Sequence, residues 1–327
     1  MERREFITLI AGTAVVWPLA ARAQQAAMSI VGFLSSRSPS DSDEVVAGFR
    51  KGLHQMGFVE GQNTVIAFRW AEGHYERLRS LASDLVDLRV AVLFAAGGSP
   101  SALAAKAATS TIPIVFVTGD PIRAGLVTNL NQPGDNITGI SNVATELAGK
   151  SLGLLKQTAP AAETIGYLAM NPANPVMKTY VDEAQAAANK LGIQLHALIA
   201  STPTEIDRVF MTLAKLGIGA LLVMPDAFFD VHRDRLVELS ARYRIAGCYP
   251  WPEYVLAGGL MSYGTNLADS YRQAGIYAGR ILRGESPSNL PVMQPTKFEF
   301  VLNLRTAKAL GLTVPPGILS IADEVIE

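Results

Sequence analysis

From residue 29 onward, unbroken apolar runs of strand length alternate with stretches whose apolar residues recur at helical spacing. The first half predicts strands over 29–34 and 64–70, followed by helices over 42–56 and 76–88. The apolar runs 90–95 and 112–117 read as buried strands, with a helix over 101–109 between them. Strands that are apolar on both faces and separated by helices predict a parallel sheet covered on two sides.

The same order then returns. Strands are predicted over 164–169, 194–199, 220–224 and 245–249, and helices over 176–191, 205–216 and 233–243. Landmarks recur at a nearly constant offset: Gly32 to Gly166 is 134 residues, Gly57 to Gly192 is 135, and Ile112 to Ile245 is 133. Such register points to two Rossmann-like α/β lobes of one design. Two lobes of this kind place the carboxyl ends of their strands, and the loops after them, around a shared ligand cleft.

Composition narrows the class. A chain of 327 residues is about twice a typical domain, which agrees with two lobes. Charged residues make up 17% and apolar residues 49%, which excludes disorder, and 28 basic against 29 acidic residues leave no basic stripe for nucleic acid. The single cysteine, Cys248, excludes an internal disulfide and is expected to be a buried, inert thiol.

The first residues read as an address. Arg3-Arg4-Glu5-Phe6-Ile7, an apolar run over 8–19 broken by Pro18, and Ala21-Arg22-Ala23 follow the order of a secretory signal, with paired arginines resembling a twin-arginine export signal. Cleavage is expected after Ala23. That removes three arginines and two glutamates from the totals of 28 and 29, leaving 25 basic and 27 acidic residues. The mature protein is then expected to be soluble and periplasmic.

The loops after the strands carry the candidate chemistry. Ser35-Ser36-Arg37-Ser38 follows the first strand, and Gly97-Gly98-Ser99-Pro100 runs into a helix after the third. Glycines let a ligand approach the backbone, and a helix N-terminus favours a carboxylate or phosphate; Ser99 alternatively only caps that helix. Asp120 either faces the cleft or makes an Asx turn. In the second half the matching loops hold Asn171 and Asn174, then Asp226 with Phe228, then Trp251. Asp226, directly after a buried strand, either pairs with a ligand amine or caps the helix behind it. The aromatics either wall an apolar pocket or belong to the core.

Catalytic signatures are missing. No H-E-x-x-H, G-x-S-x-G, G-x-x-x-x-G-K-[ST] or G-x-G-x-x-G pattern occurs, and the four histidines are scattered. No catalytic group, metal site or cofactor is expected.

Several phrases then point to one family: Phe68-Arg69-Trp70-Ala71-Glu72-Gly73, Pro133-Gly134-Asp135-Asn136-Ile137-Thr138-Gly139, and Gly258-Gly259-Leu260-Met261-Ser262-Tyr263-Gly264. With the tail Leu290-Pro291-Val292-Met293-Gln294-Pro295-Thr296-Lys297-Phe298-Glu299, the chain resembles the TrpX-like substrate-binding proteins of ABC transporters. The resemblance implies a type I periplasmic binding protein architecture with three crossovers, closing on a small solute by hinge motion. It also implies delivery to a membrane permease with its ATPase, and relatives of this kind bind aromatic amino acids. Carried over, Ser35, Ser36, Gly98 and Ser99 would hold a carboxylate, Asp226 an α-ammonium, and Phe228 or Trp251 the side chain. The first lobe is expected over 24–142 with about 267–296, and the second over 143–266. Residues 297–327 are allotted to the second lobe, their packing left open by the pattern. Crossovers are expected near 140–147 and 263–267, and a monomer is expected. The competing readings are an exported two-lobe enzyme on a small anionic substrate, and a ligand sensor partnering a separate signalling chain.

Overall fold

The computed structural model describes residues 28–134, 136–142, 144–169 and 177–327. The expected export segment, and Asn171 and Asn174, lie outside the described residues. Strand β1 (Ser29–Ser35) leads into α1 (Asp43–Gln55), β2 (Thr64–Trp70) into α2 (Leu78–Asp87), and β3 (Val92–Ala96) into α3 (Ser99–Ala108). With β4 (Ile114–Thr118) and β5 (Ile137–Ser141) they form a parallel sheet of order β2-β1-β3-β4-β5.

Helix α4 (Ala144–Thr158) carries the chain to β6 (Thr164–Ala169), α5 (Met177–Lys190), β7 (Gln194–Ile199), α6 (Pro203–Leu216) and β8 (Ala220–Val223). Then come α7 (Ala227–Val231), α8 (Arg233–Tyr243), β9 (Ala246–Tyr249), α9 (Pro252–Leu256) and β10 (Met261–Thr265). These strands stand in the order β7-β6-β8-β9-β10, which repeats the first sheet strand for strand. The repeated spacing in the sequence is therefore a repeated topology.

Local chemistry sets the boundaries. Helix α6 begins at Pro203, two residues before the expected start, because Thr202 and Glu205 form a capping box and Pro203 occupies a first-turn position that needs no N–H. It ends at Gly217 in the left-handed conformation, φ +68°. Helix α3 likewise starts earlier than expected, at Ser99, with Gly98 as its N-cap; Ser99 is its first residue, not its cap.

After β10 the chain returns to the first sheet. Asn266 caps α10 (Leu267–Leu282) by accepting a hydrogen bond from the Asp269 N–H at 2.6 Å. Helix α10 lies on α1 at very close range, since a Cβ on Gly52 would overlap the Arg272 carbonyl and one on Gly275 would overlap that of Phe49. Only glycine on both helices permits that approach. Met293 then lies beside β5, accepting from the Ser141 N–H at 2.8 Å and donating to the Gly139 carbonyl at 3.0 Å.

From there the chain enters the second sheet through β11 (Phe298–Asn303), followed by α11 (Leu304–Leu310), α12 (Pro316–Leu319) and β12 (Glu324–Ile326). Unlike the parallel strands that precede it, β11 is antiparallel to β10, with Phe298 opposite Thr265 and Leu302 opposite Met261. The cause is the direction of entry: the chain arrives at the end of β10 nearest the first sheet and can only run away from it. The passages between sheets are tighter than expected. Ile140 belongs to β5 and residues 144–147 to α4, while Tyr263 belongs to β10, so the second passage narrows to Asn266.

Candidate functional site

The loops that follow β1, β3 and β4 face those that follow β8 and β9 across a cavity of about 600 Å³, part of it open to solvent. This is the position that doubly wound sheets reserve for ligands, beyond the carboxyl ends of their strands.

The first wall is held by backbone geometry. Gly97 (φ +80°) and Gly98 (φ +106°) turn the chain into α3, and a Cβ on Gly97 would lie 2.5 Å from Ser36 Oγ. That hydroxyl donates to the Gly97 carbonyl at 2.6 Å, and the Gly97 N–H donates to Tyr271 Oη at 3.1 Å. Tyr271 is itself fixed edge-on against Phe94, with ring centroids 5.4 Å apart. Ser35 Oγ accepts from the Arg37 N–H at 3.1 Å. Ser35 and Ser36 are thus buried parts of the loop's own bonding and do not line the cavity, whereas Gly97, Gly98 and Ser99 do. Ser99 Oγ shares a 2.6 Å hydrogen bond with Thr118 Oγ1, so two hydroxyls converge beside the first turn of α3. Helix dipole and first-turn N–H groups favour an anion there.

The opposite wall is acidic. Asp226 caps α7, its Oδ1 accepting from the Phe228 N–H at 2.9 Å, and the same oxygen accepts from Tyr75 Oη at 2.6 Å. Asp230 stands one turn later. Its Oδ2 accepts from Arg37 Nη1 at 2.8 Å and its Oδ1 from Tyr254 Oη at 3.0 Å. Arg37 also donates to the Asp41 carbonyl at 2.8 Å. Arg37, Asp226 and Asp230 are the charged residues among the described lining, so carboxylates outnumber the cation.

Burial decides the proton affinities. It pushes the Asp230 carboxyl up to about 7, although Arg37 and the Tyr254 hydroxyl pull the other way. Burial also works against the Arg37 charge, but Asp230 and Asp41 offset it and keep the guanidinium protonated. Burial, then Asp226, holds the Tyr75 phenol well above its ordinary value, so it stays a donor.

Other expected residues fall elsewhere. Asp120 makes the Asx turn, accepting from the Ile122 and Arg123 N–H groups at 3.1 and 3.0 Å, and does not line the cavity. Phe228 is buried against His232, 4.7 Å between centroids, and is a packing residue. Trp251 lines the cavity, and its buried indole N–H has no acceptor among the described residues. Beside it lies a second chamber of about 440 Å³, part of it open to solvent. Cys248 is buried and its thiol is pushed up to about 12 by burial, as an inert thiol requires.

Sequence reasoning missed Arg37, Tyr75, Asp230 and Tyr271. Asp230 had a signal: it lies four residues after Asp226 on the same short helix, so both face one side. Among the described residues no group of three His, Cys, Asp or Glu is placed to hold a metal ion, and no helix is long and apolar enough to cross a membrane.

The family described as ABC transporter substrate binding protein matches this chain over residues 29–326. The chain is 29% identical over 271 residues to a tyrosine-binding protein of Clostridioides difficile (strain R20291), covering 83% of this chain and 77% of that protein. It is also similar to the structure of an ABC domain in complex with L-Trp from Streptococcus pneumonia, with a TM-score of 0.84 and 26% identity over 92% of this chain and 100% of that one. A ligand-free, open structure of a substrate binding protein with adhesive properties from Clostridium difficile is 29% identical over 91% of this chain and 99% of that one, yet its TM-score is 0.65. This chain therefore superimposes better on the L-Trp complex than on the ligand-free, open structure, although it is more similar in sequence to the latter. The Arg37–Asp230 and Tyr75–Asp226 contacts, which tie loops of the first sheet to α7 of the second, belong to a closed placement.

Proposed function

This chain belongs to the ABC transporter substrate binding protein family, and we propose that its solute is an amino acid with an aromatic side chain. The observation that carries this reading is the polarity of the cavity. Hydroxyls and a helix N-terminus at Ser99 and Thr118 suit a carboxylate, and Asp226 and Asp230 across the gap suit an ammonium. A zwitterion fills both needs at once and bridges the lobes, which is how a ligand favours the closed form. The aromatic choice is supported by two similar proteins, the one named for tyrosine and the one bound to L-Trp.

In this reading Gly97, Gly98 and Ser99 hold the carboxylate, Asp226 takes the ammonium, and Trp251 flanks the side chain. The lobes are residues 24–142 with about 267–296, and 143–266 with 297–327. The chain is exported with its signal cleaved after Ala23, works as a monomer in the periplasm, performs no catalysis, and hands its solute to a permease driven by an ATPase.

The test is a thermal-shift series on residues 24–327 with L-Tyr, L-Trp, L-Phe and the matching aromatic acids without the amine. A solute that binds only the folded protein stabilises it by about 2.7 kcal/mol at a hundredfold excess over Kd. A shift with the amino acids and none with the acids is expected. Equal shifts with both would remove Asp226 as ammonium partner, and no shift with any amino acid would overturn the reading.

A further inference from the structure

We propose that the side chain of the bound amino acid lodges in the chamber beside Trp251, and that this chamber selects for a ring. The inference rests on the reading of the chain as an amino-acid receptor and adds where the selectivity resides. The two spaces adjoin, with Asn142, Pro225 and Trp251 in the lining of both. Their chemistry is segregated. Arg37, Asp226 and Asp230 all line the main cavity, while no charged residue is among the described lining of the chamber.

The chamber walls come from α4 and the ends of β8 and β9: Leu147, Ala148, Leu222, Met224 and Tyr249. Two of the phenols that line it are already engaged. Tyr249 Oη donates to Ser240 Oγ at 2.8 Å, and Tyr167 Oη donates to the Tyr180 carbonyl at 3.3 Å. An ammonium or carboxylate placed there would lose its water without a countercharge, so only the apolar part of a zwitterion fits. The head group is therefore confined to the main cavity and the side chain to the chamber. All five of these walls belong to the second lobe, so the ring is read by one lobe and the bridging of both lobes is left to the head group.

Ala148 lines the chamber from α4, partly buried and packed against the core, so added volume at this position enters the chamber. Calorimetry with L-Phe, L-Tyr and L-Trp on the wild type, Ala148→Val and Ala148→Leu tests this. Kd is expected to rise in step with the added volume, by about tenfold or more for Ala148→Leu. The melting temperature without solute reports whether each variant still folds, and Ala148→Val keeps the test alive where Leu disrupts packing. Wild-type binding of aromatic amino acids with unchanged Kd in a folded variant would overturn the chamber alone. A wild type that binds no amino acid would overturn the receptor reading and the chamber with it.

Discussion

Asp230 carries opposed demands in one side chain. Its carboxylate meets Arg37 at 2.8 Å, yet burial holds its pKa at about 7 in the closed arrangement, against an ordinary value near 3.9. A carboxyl raised in the folded state binds protons more tightly there than in the unfolded chain. Its contribution to stability is therefore complete below about pH 4 and is lost as pH rises through 7. Asp230→Asn removes the titration and keeps the hydrogen-bonding outline. The stability of the wild type relative to Asp230→Asn is expected to fall between pH 5 and 8, read from melting temperatures at each pH. A constant difference would show that Asp230 does not titrate in that window. This residue was hidden in the sequence because a lone aspartate in a five-residue helix looks like surface. Arg37 was hidden for another reason, since its serine-rich neighbours drew the reading toward hydroxyls. Asp226 was legible because it directly follows a buried strand, and the structure gives it both candidate positions at once, as cap of α7 and as lining of the cavity.

Between elements, the tightest contact is α10 on α1. A Cβ at Gly275 would meet the backbone of Phe49 and Leu53, atoms that cannot swing aside. Gly275→Ala is expected to destabilise the protein by roughly 1–3 kcal/mol in urea unfolding, as overpacking does. Gly153→Ala on α4 is the control: nothing lies within 4 Å of where its Cβ would stand, so relief from glycine's poor helix propensity should stabilise by about 1 kcal/mol. If both substitutions act alike, the close approach at Gly275 is not what glycine is there for. The same glycines explain which elements could be read. Strands such as β2, β6 and β7 and helix α8 match their expected bounds, because continuous apolar or amphipathic runs end at turn residues. Helix α4 was not assigned from the sequence, which placed only a crossover near 140–147; Gly149 and Gly153 in its interior are poor helix formers. Helices α7 and α9 are too short for periodicity, and the antiparallel entry of β11 follows from the path of the chain through the other lobe, which no local pattern encodes.

At the scale of the whole molecule, closure brings a cation of one lobe against a carboxylate of the other in a nearly dry setting, with side chains 2% and 6% exposed. Desolvation costs both charges, and a buried pair often contributes little net stability compared with apolar residues of like volume. Its effect is on geometry: only one placement of the lobes lets Arg37 meet Asp230 while Tyr75 meets Asp226. A lobe placement shifted by even a few ångströms would part Asp230 from Arg37 and Asp226 from Tyr75, so the two contacts together define the closed register. This predicts strong coupling between the partners. At pH 8, where Asp230 is ionised, Arg37→Met alone leaves the Asp230 carboxylate buried without its cation, whereas Asp230→Leu leaves the Arg37 guanidinium with Asp41, whose Oδ1 lies 3.4 Å from it. Arg37→Met is expected to weaken solute binding by at least about a hundredfold, from the 3–5 kcal/mol that breaking a buried pair costs, and Asp230→Leu by less. The double variant removes both charges of the pair, so it should bind more tightly than Arg37→Met alone, with calorimetry giving the coupling and small-angle scattering the solute-induced contraction. Additive losses in the cycle would mean that the two charges do not act together in closing the lobes. Recovery in the double variant would assign them the register of closure, leaving solute affinity to the groups on either side of the cavity.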